Sequence, residues 1–175
     1  ERVAALNRAE SPIFEAGLEE LLRKHVGKSL SATTDLNTAV LNTELTLIAV
    51  GTPFNGKEID LTAVLRAARQ IGAALKQKGA YHVVVVKSTV VPGTTDDVVL
   101  PALERASGKR AGRDFGVGMN PEFLTEGVAI EDFMKPDRIV LGGIDEASID
   151  AQRRVYAPFA STPTMATNNK TAELI

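Results

Sequence analysis

The sequence predicts an α/β fold, a doubly wound and mostly parallel sheet with helices on both faces. Three observations predict it. Short β-rich runs recur at residues 45–50, 81–86, 115–118 and 138–141, each bounded by turn residues or a helix-start signal. Between them lie stretches whose apolar residues repeat every three or four positions, the spacing of one helix face. The two kinds of segment alternate, as they do in βαβ units with parallel strands.

The elements follow in order. Glu1-Arg2-Val3-Ala4-Ala5-Leu6 reads as the middle of a helix, and Asp35 with its neighbours suggests a short helix through Val40. Residues 45–50, closed by Gly51, form an apolar run that reads as a strand buried on both faces. Asp60 can cap a helix that carries Leu61, Val64, Ala68, Ile71 and Leu75 on one face. After the strand at 81–86, Thr94 or Thr95 can open a helix that carries Val98, Val99 and Leu103 toward Gly108. The strand at 115–118 is followed by Asn120-Pro121, a good N-cap and first-turn pair, with Glu122 suited to the helix dipole. A helix there would put Glu122 and Glu126 on one face, where like charges four residues apart repel unless a ligand uses them. The strand at 138–141, a helix at 147–156 and a polar tail at 161–169, leading into a helix near Thr171, complete the chain.

Composition narrows the function classes. With 44% apolar and 24% charged residues, the 175 residues have the make-up of one globular domain able to bury a core. A net charge of -2 with scattered Lys and Arg provides no field for nucleic acid, which is not an expected partner. Cysteine is absent, which excludes disulfides, thiolate metal sites and a cysteine nucleophile within these residues. His25 and His82 have no partner pattern and read as structural, and no metal-ligand spacing is visible. There is no apolar stretch of about 18 residues and no leader, so a cytoplasmic protein without a membrane partner is expected.

In open parallel sheets, ligands bind beyond the carboxyl ends of the strands. Three strand exits carry suitable groups: Gly51-Thr52-Pro53, the run from Lys87 to Thr94, and the run from Asn120 to Gly127. They are expected to line one crevice. Each also has an ordinary explanation: a plain strand exit, hydroxyls of Ser88 and Thr89 that satisfy backbone groups, and a capped helix at Asn120. Gly51 to Lys57 spells G-x-x-x-x-G-K, the start of a phosphate-cradling loop. The next residue is Glu58 where a magnesium-binding hydroxyl is needed, and the following helix starts later, so an NTPase is rejected.

Taken in order, these segments resemble the UDP-glucose/GDP-mannose dehydrogenase family over most of the chain. The matching stretches are Ser11-Pro12-Ile13-Phe14-Glu15-Ala16-Gly17-Leu18, Ala49-Val50-Gly51-Thr52-Pro53, Lys87-Ser88-Thr89-Val90-Val91-Pro92-Gly93-Thr94, Asn120 to Gly127, and Pro136-Asp137-Arg138-Ile139-Val140-Leu141-Gly142-Gly143. Five such stretches in the right order and spacing are specific where one alone is weak. The resemblance implies a Rossmann-like domain, NAD as cofactor and a nucleotide sugar as substrate. It implies that Val50, Gly51, Thr52, Pro53 and Phe54, together with Ser88, Thr89, Val90 and Glu126, contact NAD, and that Glu122, Phe123, Leu124 and Thr125 touch the sugar nucleotide. Glu122 is implied to do acid/base work in hydrolysing a covalent intermediate, and Thr89 to help hold the water. Both are the catalytic candidates.

The implied chemistry is an NAD-dependent four-electron oxidation of the sugar C6 alcohol to the uronate. A thiolate captures the aldehyde, a second hydride departure leaves a thioester, and water hydrolyses it. Family members acting on N-acetylated sugars show an Arg after Pro-Glu, where this chain has Phe123-Leu124, so UDP-glucose is favoured and GDP-mannose comes next.

Departures from the family pattern shape a further expectation. A strand with G-x-G-x-x-G and a second strand ending in a ribose-binding acid are missing, and Glu1 falls a few residues past that acid. Thr171-Ala172-Glu173-Leu174-Ile175 resembles the start of the helix whose next family residue is the catalytic Lys; the family's Cys lies further on. The expectation is a partial NAD-binding domain over 1–160 with its first two strands absent, a linker and helix start over 161–175, and no activity in the chain by itself. The family strand order 3-2-1-4-5-6 places a short strand near 30–33 and leaves the strand at 45–50 with an open edge. A homodimer or larger homo-oligomer through the central helix is implied too. The alternatives are another NAD-dependent dehydrogenase of hydroxyacid or 6-phosphogluconate type, against which Asn120 to Leu124 argues, and a non-catalytic nucleotide-binding module.

Overall fold

Four consecutive valines, Val83–Val86, are buried throughout and form the second strand of a five-stranded sheet. The computed structural model describes residues 1–175. They fall into two units: a smaller one of Glu1–Asp35 with Phe123–Asp137, and a sheet unit of Leu36–Glu122 with Arg138–Ile175. In chain order the helices are α1 (Arg2–Asn7), α2 (Leu18–His25), α3 (Leu36–Leu41), α4 (Thr62–Leu75), α5 (Leu100–Ser107), α6 (Ala129–Met134), α7 (Glu146–Val155) and α8 (Asn169–Leu174). The strands are β1 (Leu45–Ile48), β2 (Val83–Val86), β3 (Gly116–Met119), β4 (Ile139–Gly143) and β5 (Thr164–Thr167). A π-helical turn, Thr95–Val99, leads into α5. No helix is long and apolar enough to cross a membrane.

The sheet order is β1-β2-β3-β4-β5. The first three strands are parallel, β4 runs antiparallel to β3, and β5 runs parallel to β4. The carboxyl ends of β1, β2 and β3 therefore share one edge. Alternation along β2 sends Val84 and Val86 into the main core with Val64, Ala68, Ile71 and Leu103, while Val83 and Val85 join Ala151 of α7 on the other face. A sheet covered on both faces explains the uninterrupted valine run. Each buried side chain of that size contributes roughly 1.5–3 kcal/mol.

Local rules hold for most elements. The apolar stripe of α4 is buried as its spacing predicts, and the Asp60 carboxylate accepts from the Thr62 amide at 2.8 Å at its start. Gly108, with φ of 69°, ends α5 in the left-handed conformation that suits a residue without Cβ. The Lys78 ammonium is buried and donates to the carbonyls of Val40, Leu41 and Thr43 at 2.7–2.9 Å, satisfying acceptors left open where α3 ends.

Four expectations are corrected. The first strand ends at Ile48, not Val50, and is not buried on both faces, since Leu47 is 42% exposed. The reason is position: β1 is an edge strand with β2 as its one neighbour. No strand forms at 30–33; the pairing there is an isolated bridge between Val26 and Leu30. No helix starts at Asn120, because its side chain is committed across the sheet edge, and residues 121–125 run as irregular chain before α6 begins at Ala129. Glu122 and Glu126 thus share no helix face. The polar tail contains β5, which pairs with β4, before α8 starts at Asn169 with the side-chain Oδ1 of Asn168 accepting from the Thr171 amide at 2.8 Å.

In the smaller unit, one carboxylate organises the segment before α6. Glu15 accepts from the amides of Gly127 and Ala129, both at 3.0 Å. Asp132 accepts from the Thr125 amide at 2.8 Å. Glu15 belongs to the first matching stretch, and the contact gives that stretch a structural purpose.

Candidate functional site

The exits of β1 and β2 are stitched together by two hydroxyls. Ser88 is buried and its Oγ donates to the Val50 carbonyl at 2.7 Å, while its amide donates to the Ile48 carbonyl at 3.1 Å. Thr52 Oγ1 donates to the Thr89 carbonyl at 2.7 Å. These bonds leave Gly51, Pro53, Phe54 and Thr89 exposed and Val50 and Thr52 partly so, whereas Val90 points into the core. Of the expected cofactor contacts, Ser88 and Val90 therefore shape the loop from within. No atom lies within 4 Å of where a Cβ on Gly51 would sit, so a flat ligand could approach the backbone closely.

The β3 exit is built around Asn120, which is 2% exposed. Its amide donates to the Val86 carbonyl at 2.9 Å and its Nδ2 to the Val140 carbonyl at 2.9 Å. Its Oδ1 accepts from Lys87 Nζ at 3.0 Å and from the Tyr156 hydroxyl at 2.5 Å; Lys87 Nζ also reaches Tyr156 OH at 3.4 Å. Burial pushes the Lys87 ammonium below its ordinary pKa, and the negative charge of Glu122 acts against that push. Burial likewise raises Tyr156, with the bond to Asn120 opposing it. The network locks the direction in which Pro121 and the exposed Glu122 leave the sheet.

Lys87 and Tyr156 lie 69 positions apart; the sequence marks Lys87 only as the first residue of the second strand exit and Tyr156 only as the end of a helix, with no role for either. The one available signal was a polar residue directly after a buried strand, which a capped helix explained equally well. Of the remaining candidates, Phe123, Leu124, Thr125 and Glu126 belong to the smaller unit and are exposed there.

The phosphate-loop decoy has a clear structural outcome. Asn55 Oδ1 accepts from the amides of Lys57 and Glu58, each at 3.0 Å, and the Asn55 amide donates to the Glu58 carbonyl at 3.1 Å. The amides of Asn55, Lys57 and Glu58 are consumed by this turn and do not face a phosphate. There is no cluster of three or more His, Cys, Asp or Glu side chains able to hold a metal ion. His82 is fully buried, as its structural reading requires, and meets the Thr43 carbonyl and the Thr46 hydroxyl at 2.9 Å each. What the sheet edge presents is a glycine-opened loop, a threonine hydroxyl and a carboxylate, a set suited to a flat cofactor and to proton transfer with water.

Residues 1–160 match the UDP-glucose/GDP-mannose dehydrogenase family, NAD binding domain. A UDP-glucose 6-dehydrogenase of Haloferax volcanii is 43% identical over 178 residues, covering 99% of this chain and 41% of the relative. A GDP-mannose 6-dehydrogenase of Pseudomonas aeruginosa is 45% identical over 159 residues, covering 89% of this chain and 36% of the relative. Among solved structures, a ternary complex of GDP-mannose dehydrogenase from Pseudomonas aeruginosa superposes with a TM-score of 0.94 at 41% identity, over 99% of this chain and 40% of that one. The chain spans about two fifths of the length of the curated relatives it matches.

Proposed function

Because the chain belongs to the UDP-glucose/GDP-mannose dehydrogenase family through its NAD-binding domain, we propose that the protein carrying it oxidises the C6 alcohol of a nucleotide sugar to the uronate with NAD. UDP-glucose is the first substrate to test and GDP-mannose the second, the two sugars for which the Haloferax volcanii and Pseudomonas aeruginosa relatives are named. The observation that carries the reading is the gathering of the β1, β2 and β3 exits on one sheet edge, with Thr89 exposed beside the Thr52 tether and Glu122 leaving from the Asn120 network.

NAD, when bound, takes up the hydrides leaving C6. Val50, Gly51, Thr52, Pro53 and Phe54 would form one flank of its site, with Ser88, Thr89 and Val90 behind them. The open space over Gly51 fits that role. Glu122 would take a proton from water as it attacks the thioester carbonyl carbon, the C–S bond would break to release the thiolate of a cysteine outside these residues, and the Thr89 hydroxyl would orient that water. Phe123, Leu124 and Thr125 are assigned to the sugar nucleotide and Glu126 to the cofactor, in line with the matched motif. In this reading residues 1–160 are the cofactor domain, and 161–175, which add β5 to the sheet, carry the start of the central helix as α8.

The test is to incubate the full-length protein with NAD and each sugar in parallel, following NADH and product. Two NADH per uronate formed is the expected result. Absence of NADH with both sugars would overturn the reading.

A further inference from the structure

Away from the residues given a role above, polar contacts in the sheet unit concentrate where α8 meets the loop after β2. The Glu173 carboxylate spans two backbone amides, accepting from Gly93 at 2.5 Å and from Thr95 at 2.7 Å, across 80 and 78 positions of sequence. Asn169, on the same helix, donates through Nδ2 to Asp96 Oδ1 at 2.7 Å. Thr95 and Asp96 lie in the π-helical turn, a rare local geometry that concentrates at functional sites, and Gly93 lies just before it. Gly93 has φ of 97°, and a Cβ there would lie 2.8 Å from Asp97 Oδ2, so only glycine fits that point without strain, and its permissive backbone needs an outside contact to fix it.

The element that carries the carboxylate is itself firmly seated. Ala172 is fully buried, and a Cβ added to Gly142 of β4 would lie 2.8 Å from the Ala172 methyl and 3.0 Å from Asn169 Cα. At its other end, the loop is tied by Ser88 to the Val50 carbonyl and by the Thr52 hydroxyl to the Thr89 carbonyl. Thr89 thus stands in a short span pinned on both sides. The polar fit around the turn is incomplete, since Thr95 Oγ1 and Asn169 Oδ1 are buried without partners.

We propose that Glu173 is a positioning residue for Thr89: by holding the amides of Gly93 and Thr95 it sets the path of the loop and so the place of the Thr89 hydroxyl. A carboxylate suits the task because it accepts two charge-assisted bonds with one rigid group. The inference rests on the reading of Thr89 as the residue that orients water.

The experiment compares the full-length protein with its Glu173→Gln and Glu173→Ala variants. Hydrogen exchange at Gly93 and Thr95 reads the clamp directly, and steady-state kinetics with NAD and nucleotide sugar read its use. In Glu173→Ala, exchange at both amides should rise at least tenfold, on the order of what a lost hydrogen bond permits. Its kcat should fall tenfold or more, with KM for the sugar little changed. Glu173→Gln, which keeps one good acceptor, should fall between the two. Unchanged exchange in Glu173→Ala would overturn the clamp, and raised exchange with unchanged kcat would overturn its positioning role. A wild-type protein inactive on both sugars would overturn the functional reading and the role of Glu173 in that reaction with it. The exchange result tells that failure apart from a failure of the clamp.

Discussion

The Thr52 hydroxyl and the Thr89 carbonyl, 37 positions apart, form a 2.7 Å hydrogen bond that joins the loop after β1 to the loop after β2. Thr52→Val keeps the side-chain shape and removes the donor. A net loss of about 1 kcal/mol is expected. If the bond sets the position of Thr89, kcat/KM of the full-length protein should drop about fivefold on that scale. Chemical denaturation and initial rates measure both effects. Rates that stay normal beside the expected stability loss would confine the bond to a structural role.

Glu122→Gln should leave the early hydride steps intact and slow the hydrolytic one. The motive is an exposed carboxylate leaving the sheet edge from the Asn120 network, beside the half-buried Lys87. A rapid burst of NADH followed by turnover slower by about two to four decades is predicted. Stopped-flow absorbance reads burst and turnover in one trace. Disappearance of the burst with otherwise normal turnover contradicts the assignment.

His82 should make stability pH-dependent. The Thr43 carbonyl can only accept, so Nδ1 carries the proton and Nε2 accepts from the Thr46 hydroxyl in the neutral ring. Burial holds the ring below its ordinary pKa of 6.5, the Lys78 ammonium adds to that, and the bond to Thr43 opposes it. Above about pH 6.5 both folded and unfolded rings are neutral and His82 is silent. Below that value the unfolded chain binds the proton first, so stability falls with falling pH until the folded ring protonates too. Melting temperatures between pH 7.5 and 5.5 should decline more steeply for the wild type than for His82→Gln. Equal slopes would remove His82 from the account.

Gly118→Ala should be costly although it adds a single methyl. A Cβ at this position of β3 would lie 2.5 Å from Gln152 Nε2 of α7 and 2.8 Å from the Gly142 carbonyl. The amide could swing aside, but the carbonyl belongs to β4 and cannot without disturbing the sheet. Overpacking of this kind costs about 1–3 kcal/mol. A denaturation midpoint unchanged from wild type would show that the sheet yields more readily than these contacts imply.

The layered architecture could be read directly from the sequence, because its signals are local. The stripe of Val64, Ala68, Ile71 and Leu75 is a helix face whatever it packs against, and four valines in a row need a sheet covered on both sides. Gly108 ends α5 and the Asp60 side chain, one residue before the N-cap Leu61, bonds the first amide of α4, both through chemistry that depends only on near neighbours. Candidate residues after each strand could be named too, since the carboxyl edge of a parallel sheet is implied by alternation alone.

Tertiary contacts decided the rest. Asn120-Pro121-Glu122 carries a sound helix-start signal, yet Asn120 spends its side chain on Val140, Lys87 and Tyr156, partners the local sequence does not reveal. β5 lacks an apolar pattern, with most of its residues exposed, and it exists because β4 offers an edge for its backbone. The depth of β1 followed from its place at the sheet edge, which composition does not encode. Glu173 looked like one more polar residue of a helix start until folding set it against two amides some eighty positions away. Local propensity is a matter of tenths to about 1 kcal/mol per residue, and a buried polar group without a partner costs about 1–3 kcal/mol, so long-range pairing prevails wherever the two conflict.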